Sequence, residues 1–192
     1  MFICVYDNPE CVWVRFPKTG STSIKHGFFG GSAPDKRLNY IPDEYSNSRS
    51  FTVVRNPYSR MASILSMFRN HKSAKSVEEI DFREALTVEQ IISVLENTDI
   101  DPKPAKDGNY FERLKSHALP MTAVPEVHKV QKVLRFENFL EMWKSLSLYL
   151  NVPEPPLAHR KNEYPKLELT AADRNAVADY YREDFEVFDY TL

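Results

Sequence analysis

The chain has 192 residues, of which 42% are hydrophobic and 27% are charged, and its net charge at pH 7 is −2. This length suits one domain with a sizeable core and is short for two, so a single domain over residues 1–192 is predicted. The small net charge argues against nucleic acid or an anionic membrane as a partner, and no run reaches about 18 apolar residues, the length of a membrane span. Two cysteines without zinc-like or disulfide-framework spacing favour a reducing compartment, and an N-terminus without a targeting pattern favours the cytoplasm.

The first third of the chain alternates strand-like and helix-like segments. Short β-branched and aromatic runs predict three strands: FICVY (2–6), CVWVRF (11–16) and SFTVVRNP (50–57). Gly20 ends the second run, and the residues from Ser21 onward are compatible with a helix, which a glycine-containing loop follows. Asn56-Pro57 stops the third strand, because a residue before proline avoids the helical conformation, and a helix is expected to begin just past that proline.

The remaining chain predicts further helices and one more strand. Three residue pairs have the spacing of a helix cap: Ser76 with Glu79, Thr87 with Gln90, and Thr170 with Asp173. Residues 77–97 are therefore expected to hold two short helices or one bent helix. A loop follows at DIDPKPAKDGNY, then a strand at VQKVLRFE, an amphipathic helix at NFLEMWKSLSLYL capped by Asn138, and a helix beginning near Thr170. Strands separated by helices predict an α/β fold, with a mainly parallel sheet flanked by helices.

The segment FPKTGSTS (16–23) combines a strand end, a tight turn and the start of a helix. Backbone N–H groups and the helix dipole create partial positive charge at such a point, worth about 0.3–2 kcal/mol to a bound anion. Lys18 adds a full charge beside Gly20, and four residues add hydroxyl groups: Thr19, Ser21, Thr22 and Ser23. Taken alone, the segment also fits a solvated lysine followed by capping hydroxyls.

A second segment, FTVVRNPYSRMAS (51–63), favours the anion site. Its apolar strand ends in Arg55, where a magnesium-dependent kinase would favour a carboxylate, and the chain contains no Gly-x-x-x-x-Gly-Lys-Ser/Thr loop. Arginine binds phosphate through two parallel hydrogen bonds and repels metal ions. Ser63 lies about two helical turns further on, and we expect it to reach back to the same phosphate. The two strand ends therefore predict two anion sites and no metal site, which argues against a nucleotide kinase.

Together the two motifs resemble those of sulfotransferases. FPKTGSTS is similar to the 5′-phosphosulfate loop of that family, and VVRNPYSRMAS is similar to its 3′-phosphate motif. KVLRFENFLEMWKSLSLYLNV and the C-terminal LTAADRNAVADYYREDFEVFDY are similar to later segments of the carbohydrate sulfotransferase group, sulfotransferase family 2. The resemblance covers most of the chain, with residues 64–125 matching only loosely, and it implies a P-loop-like sulfotransferase fold.

The resemblance implies a sulfuryl donor, 3′-phosphoadenosine 5′-phosphosulfate (PAPS), and a hydroxyl or amine acceptor, expected to be a carbohydrate. The product nucleotide would be adenosine 3′,5′-bisphosphate (PAP), and no metal would take part. Residues 18–23 would hold the 5′-phosphate, with Lys18 near the bridging oxygen of the leaving group, and Arg55 and Ser63 would hold the 3′-phosphate. Lys18 suits that position because charge builds on the departing oxygen during an in-line displacement.

The residue that accepts the proton of the acceptor is left open among three candidates. His117, within SHALPM, resembles a His-x-x-Pro element of the family and is the first choice. Glu44 falls in the interval between the two motifs and is the second, and His26 is the third. Each of them also fits a structural or surface role.

Two departures from the family leave further roles open. Cytosolic sulfotransferases place a tryptophan after the loop hydroxyls to contact adenine, where this chain has Ser23. Their Arg-Lys-Gly element is absent as such, so Arg160 and Lys161 either assist the 3′-phosphate site or form an exposed basic turn. Arg60 is expected to pair with a nearby carboxylate. The alternative function is a degenerate member that binds the nucleotide or a sulfated glycan and transfers nothing.

Overall fold

A computed structural model of the chain describes residues 2–70, 76–97, 110–157 and 165–192. The strands within these ranges are β1 (Phe2–Asp7), β2 (Glu10–Arg15), β3 (Lys36–Leu38), β4 (Ser50–Val54) and β5 (Lys132–Arg135). The α-helices there are α1 (Ser21–Phe28), α2 (Pro57–Arg69), α3 (Val77–Ala85), α4 (Val88–Glu96), α5 (Tyr110–Ala118), α6 (Phe139–Leu150), α7 (Ala171–Tyr180) and α8 (Arg182–Val187). None of these helices is both long and apolar enough to cross a bilayer.

The chain divides into two compact units. The first comprises Met1–Arg55 and Val124–Asn162, and the second comprises Asn56–Ala123 and Glu163–Leu192. All five strands belong to the first unit, together with α1 and α6, and the other six helices belong to the second. The prediction of one domain over residues 1–192 stays a prediction.

The first unit contains a five-stranded sheet with the order β3-β1-β2-β4-β5. β1 pairs antiparallel with β2 and with β3, whereas β2 with β4 and β4 with β5 pair parallel. The α/β class is thus confirmed, and the sheet is mixed. Only Asn8 and Pro9 lie between β1 and β2, and a connection that short allows only an antiparallel hairpin.

The core of the first unit lies between one face of the sheet and helices α1 and α6. Trp13 of β2 is fully buried and stacks between Phe29 and Phe51, with ring centroids 6.0 and 5.6 Å away. Trp143 of α6 packs against Phe28 at 4.6 Å. The opposite face of β2 and β4 is buried too, which accounts for the continuous apolar run of β2 over residues 11–14.

The parallel strands place three carboxyl ends at one edge of the sheet. Val14 of β2 aligns with Thr52 of β4, and Val54 of β4 aligns with Arg135 of β5. The segments that leave these strands, which contain Lys18, Arg55 and Phe136, therefore begin side by side.

The second unit is helical, and its core draws residues from α2, α4, α5, α7 and α8. The three predicted capping boxes are confirmed, with reciprocal bonds between Ser76 and Glu79, between Thr87 and Gln90, and between Thr170 and Asp173. Residues 77–97 form two helices, as one of the two alternatives predicted. Helix α5 was not predicted, although Tyr110, Leu114 and Ala118 recur at helical spacing and are buried.

Candidate anion-binding site at the sheet edge

The turn between β2 and α1 adopts an uncommon backbone conformation. Lys18 has φ +67° and Gly20 has φ +77°, both in the left-handed region. A residue with a side chain is uncommon there and costs of order 1–3 kcal/mol, which the surrounding contacts must offset. The buried Thr19 hydroxyl donates to the carbonyl of Phe16 at 2.9 Å and closes the turn. The hydroxyl hydrogen of Thr19 is thus used within the turn.

Helix α1 presents N–H groups at the end of this turn. Gly20 occupies the N-cap and has no side chain to cap the helix, and the first helical bond runs from Ile24 N–H to the Gly20 carbonyl at 3.1 Å. The three preceding N–H groups, of residues 21–23, have no partner within the helix. They point, with the positive end of the helix dipole, toward the position that an anion would take. Thr22 is exposed, whereas the side chains of Ser21 and Ser23 are buried.

Arg55 connects the end of β4 to the same turn. Its Nη1 donates to the carbonyl of Lys18 at 3.0 Å, and its Cζ lies 4.6 Å from the centre of the Phe136 ring. The sequence predicted one anion site at each strand end. The structure brings the two cationic residues into one cluster, because β2 and β4 are adjacent and parallel.

The Lys18 ammonium lies in an unfavourable environment for its charge. Burial, and secondly the Arg55 guanidinium, lower the pKa of Lys18 from its ordinary 10.5 to about 8. The Lys18 ammonium and the Arg55 guanidinium are thus two positive groups close together. A bound anion would reduce their repulsion and would compensate for the hydration that the partly buried ammonium has lost, so the arrangement favours anion binding.

We expect Lys18→Met to stabilise the fold at pH 7. The folded-state pKa of about 8 lies below the unfolded 10.5, so the charged form costs folding free energy below pH 8 and this cost fades as pH rises toward 10.5. The gain should be on the order of 1–3 kcal/mol at pH 7, after allowance for partial exposure, and a few degrees in melting temperature.

Thermal unfolding at pH 7 and pH 10 checks this, with Lys144→Met, which removes an exposed lysine of α6, as the matched control. The Lys18→Met gain should shrink at the higher pH, and the control should show no such trend. A destabilised Lys18→Met protein at pH 7 would contradict the expectation.

Two of the predicted site residues belong to the second unit. Ser63 lies on α2 and is half-buried. His117 lies in the last turn of α5, where its Nδ1 is 2.8 Å from the carbonyl of Arg113. That carbonyl requires a proton on Nδ1, so Nε2 carries the lone pair of the neutral ring. The assignments of Ser63 to the 3′-phosphate and of His117 to the base stay predictions.

The segment that follows His117 is held by buried polar side chains of the second unit. Arg60, which is 2% exposed, donates through Nη2 to the carbonyls of His117 and Leu119 at 2.8 and 2.9 Å. Asp184 accepts bonds from the N–H groups of Met121 and Thr122. The sequence favoured an ion pair for Arg60, whereas these hydrogen bonds go to backbone carbonyls. A buried guanidinium with two such bonds holds the end of α5 in one geometry.

The other candidates lie elsewhere in the chain. Glu44 belongs to the 3₁₀ helix Asp43–Tyr45 and is exposed, with its carboxylate 3.7 Å from Lys36 Nζ. The ring of His26 lies close to Gly31, whose added Cβ would come 2.8 Å from His26 Nδ1. Arg160 and Lys161 lie outside the described residues. The role of Glu44 as an alternative base stays a prediction.

Phe136 is a site residue for which sequence reasoning found no role. It opens the 3₁₀ helix Phe136–Asn138 directly after β5, and its ring contacts both Gly20 and Arg55. The segment KVLRFENF resembles the family, but the strand register that places this ring beside Arg55 cannot be inferred from that segment alone. Within the described part of the chain, no group of three or more His, Cys, Asp or Glu residues is arranged to hold a metal ion.

Comparison with known proteins identifies the family of the chain. A family model described as the sulfotransferase family matches residues 32–191, which include Arg55, Ser63, His117 and Phe136. No curated protein and no solved structure matches significantly. The match covers most of the chain, begins after the Lys18 turn, and agrees with the likeness to sulfotransferase family 2. The chain belongs to the sulfotransferase family.

Proposed function

We propose that this chain transfers the sulfuryl group of PAPS to a hydroxyl or amine of a carbohydrate acceptor, without a metal ion. Sulfotransferase family membership supports sulfotransferase activity in general. The observation that carries the donor proposal is the cluster of Lys18, Arg55 and the first N–H groups of α1 at one sheet edge. Each of these groups binds anions, and together they suit a nucleotide with phosphates at two positions.

The residues present fit the groups that PAPS would bring. The turn and the first turn of α1 would hold the 5′-phosphosulfate through backbone N–H groups and the Lys18 ammonium. The Arg55 guanidinium donates from Nη1 to the Lys18 carbonyl, and it would contact the 3′-phosphate through the paired N–H geometry that suits phosphate. Ser63 is proposed as a second 3′-phosphate contact on the resemblance of its motif alone.

The chemistry to be catalysed is an in-line displacement at sulfur. The acceptor oxygen or nitrogen forms a bond to sulfur while the bond from sulfur to the bridging 5′-phosphate oxygen breaks, and the bonding electrons leave with that oxygen. Lys18 would stabilise the charge that develops there, by electrostatic interaction or by proton donation, and a pKa of about 8 suits either role near neutral pH.

The proton lost by the acceptor needs a base. His117 is proposed first because the Arg113 carbonyl holds its ring in the tautomer whose Nε2 can accept a proton. Glu44 is the alternative, as an exposed carboxylate on a short helix. The carbohydrate acceptor and the cytoplasmic location are proposed from the family likeness and from the composition of the chain.

The donor proposal is tested by ligand-induced stabilisation. PAP without magnesium should raise the melting temperature, by roughly 2.7 kcal/mol of stabilisation at a concentration 100 times its Kd. Adenosine 5′-monophosphate should do far less, because it leaves Arg55 without its phosphate. Differential scanning fluorimetry, with and without EDTA, measures the shift in melting temperature that each nucleotide causes. Equal shifts from the two nucleotides would contradict a site that binds the 3′-phosphate.

A further inference from the structure

Phe136 lies where the turn, Arg55 and helix α6 meet. It follows the last residue of β5, and Arg55 follows the last residue of β4, so the two side chains start from neighbouring positions of paired strands. The Arg55 Cζ lies 4.6 Å from the ring centre, within the range of a cation–π contact. The ring is therefore placed to hold the guanidinium by its face.

The same ring also touches the turn itself. A Cβ added to Gly20 would come 2.9 Å from Phe136 Cε2 and 3.0 Å from its Cδ2, so the ring fills the space that only a glycine leaves there. Phe139 packs against Phe136 edge-on at 5.8 Å, and Phe139 in turn packs on the buried Trp143 at 5.5 Å. The ring is thus held from the core side while its contacts with Gly20 and Arg55 face the site.

We propose that Phe136 is a positioning residue whose aromatic face fixes Arg55 against the Lys18–Gly20 turn. Arginine has a long side chain with several rotatable bonds, and ordering it costs conformational entropy. The bond to the Lys18 carbonyl and the ring contact both restrict the guanidinium, so part of that entropy cost is met before a ligand arrives. The consequence for donor binding rests on the proposed function, whereas the placement of Arg55 does not.

The placement of Arg55 beside the Lys18–Gly20 turn can be tested without any nucleotide, by measuring the pKa of Lys18. Because the Arg55 guanidinium contributes to lowering the Lys18 pKa, NMR titration of labelled lysine side chains reports on their proximity. Phe136→Leu, which keeps an apolar side chain of smaller size and loses the aromatic face, should raise the Lys18 pKa by about 0.5–1 pH unit. Phe136→Tyr should keep the wild-type pKa of Lys18. Phe28→Leu makes the same change at a ring of α1 that packs on Trp143, and it should also leave the Lys18 pKa unchanged.

A double-variant cycle separates positioning from packing. In an Arg55→Ala background, Phe136→Leu should produce no further change in the Lys18 pKa, because the ring acts through the guanidinium. With PAP as the probe, Phe136→Leu should weaken binding about 5- to 30-fold in the wild-type background, and less than about 2-fold in the Arg55→Ala background.

The outcomes are distinct. An unchanged Lys18 pKa in Phe136→Leu, or an equal change in both backgrounds, overturns the proposal, since the ring would then be inert or act by packing alone. If no form of the protein binds PAP but the Lys18 titrations follow the expected pattern, the proposed function fails and the positioning role stands.

Discussion

Lys18→Ala is expected to lower the turnover for sulfuryl transfer by a factor of at least about 10², the scale of removing one donor that stabilises a developing oxyanion. It should lower the affinity for PAP much less. The reason is that charge on the bridging oxygen is greater in the transition state than in the bound ground state, so a cation placed there lowers the barrier more than it strengthens binding. The fold should survive, because the charged lysine itself costs folding free energy below pH 8.

The measurement is transfer of labelled sulfate from PAPS to a pooled set of glycan acceptors, alongside calorimetric titration of PAP. Lys144→Ala, at an exposed position of α6, is the matched control and should retain activity. Equal losses of turnover and affinity in Lys18→Ala would assign Lys18 to binding alone. Tight PAP binding by the wild-type protein, with transfer to none of the acceptors, would favour the non-catalytic alternative.

Arg55→Ala is expected to weaken PAP binding by roughly tenfold to a hundredfold, since a hydrogen bond to a charged group contributes about 1.5–3 kcal/mol. The substitution also removes the bond to the Lys18 carbonyl, so the turn loses one of its supports. Affinity for adenosine 5′-monophosphate should fall less, because that nucleotide lacks the 3′-phosphate.

Two further variants sharpen the Arg55 result. Arg55→Lys should restore affinity only in part, because an ammonium lacks the planar fork that binds phosphate through two bonds. Arg49→Ala removes an exposed arginine just before the same strand and should have little effect. Isothermal titration calorimetry of each variant provides the comparison. Unchanged PAP affinity in Arg55→Ala would make Arg55 a structural residue of the turn.

The fold was predictable where local patterns carry the signal. Four strands and three capping boxes follow from β-branched runs and from polar residues three positions apart, because both features act within a few residues. β3 was not predicted, since Lys36 and Arg37 form two of its three positions and β3 is an edge strand that pairs only with β1. Asn138 was predicted as a cap and occupies that position, but its side chain does not bond the helix backbone.

The site was predictable in its charges and not in its geometry. Lys18 and Arg55 stand out in the sequence because each follows an apolar strand. The hydrogen bond from Arg55 to the Lys18 carbonyl depends on the parallel pairing of β2 with β4. The contact of Arg55 with the Phe136 ring depends on the pairing of β4 with β5. Such long-range register is set by the packed sheet as a whole, which no single segment encodes.

The alignment of three strand ends also sets an order of events in the making of this protein. A chain still emerging from the ribosome contains Lys18 and Arg55 long before residue 136 has been synthesised. It therefore has both cationic residues without the ring that positions Arg55. Closing the long connection from β4 to β5 costs conformational entropy, and only the pairing and packing of the complete sheet compensate for that cost. Nascent and truncated chains would thus carry the charges of the site without its geometry, and the proposed nucleotide affinity would appear once β5 has joined the sheet.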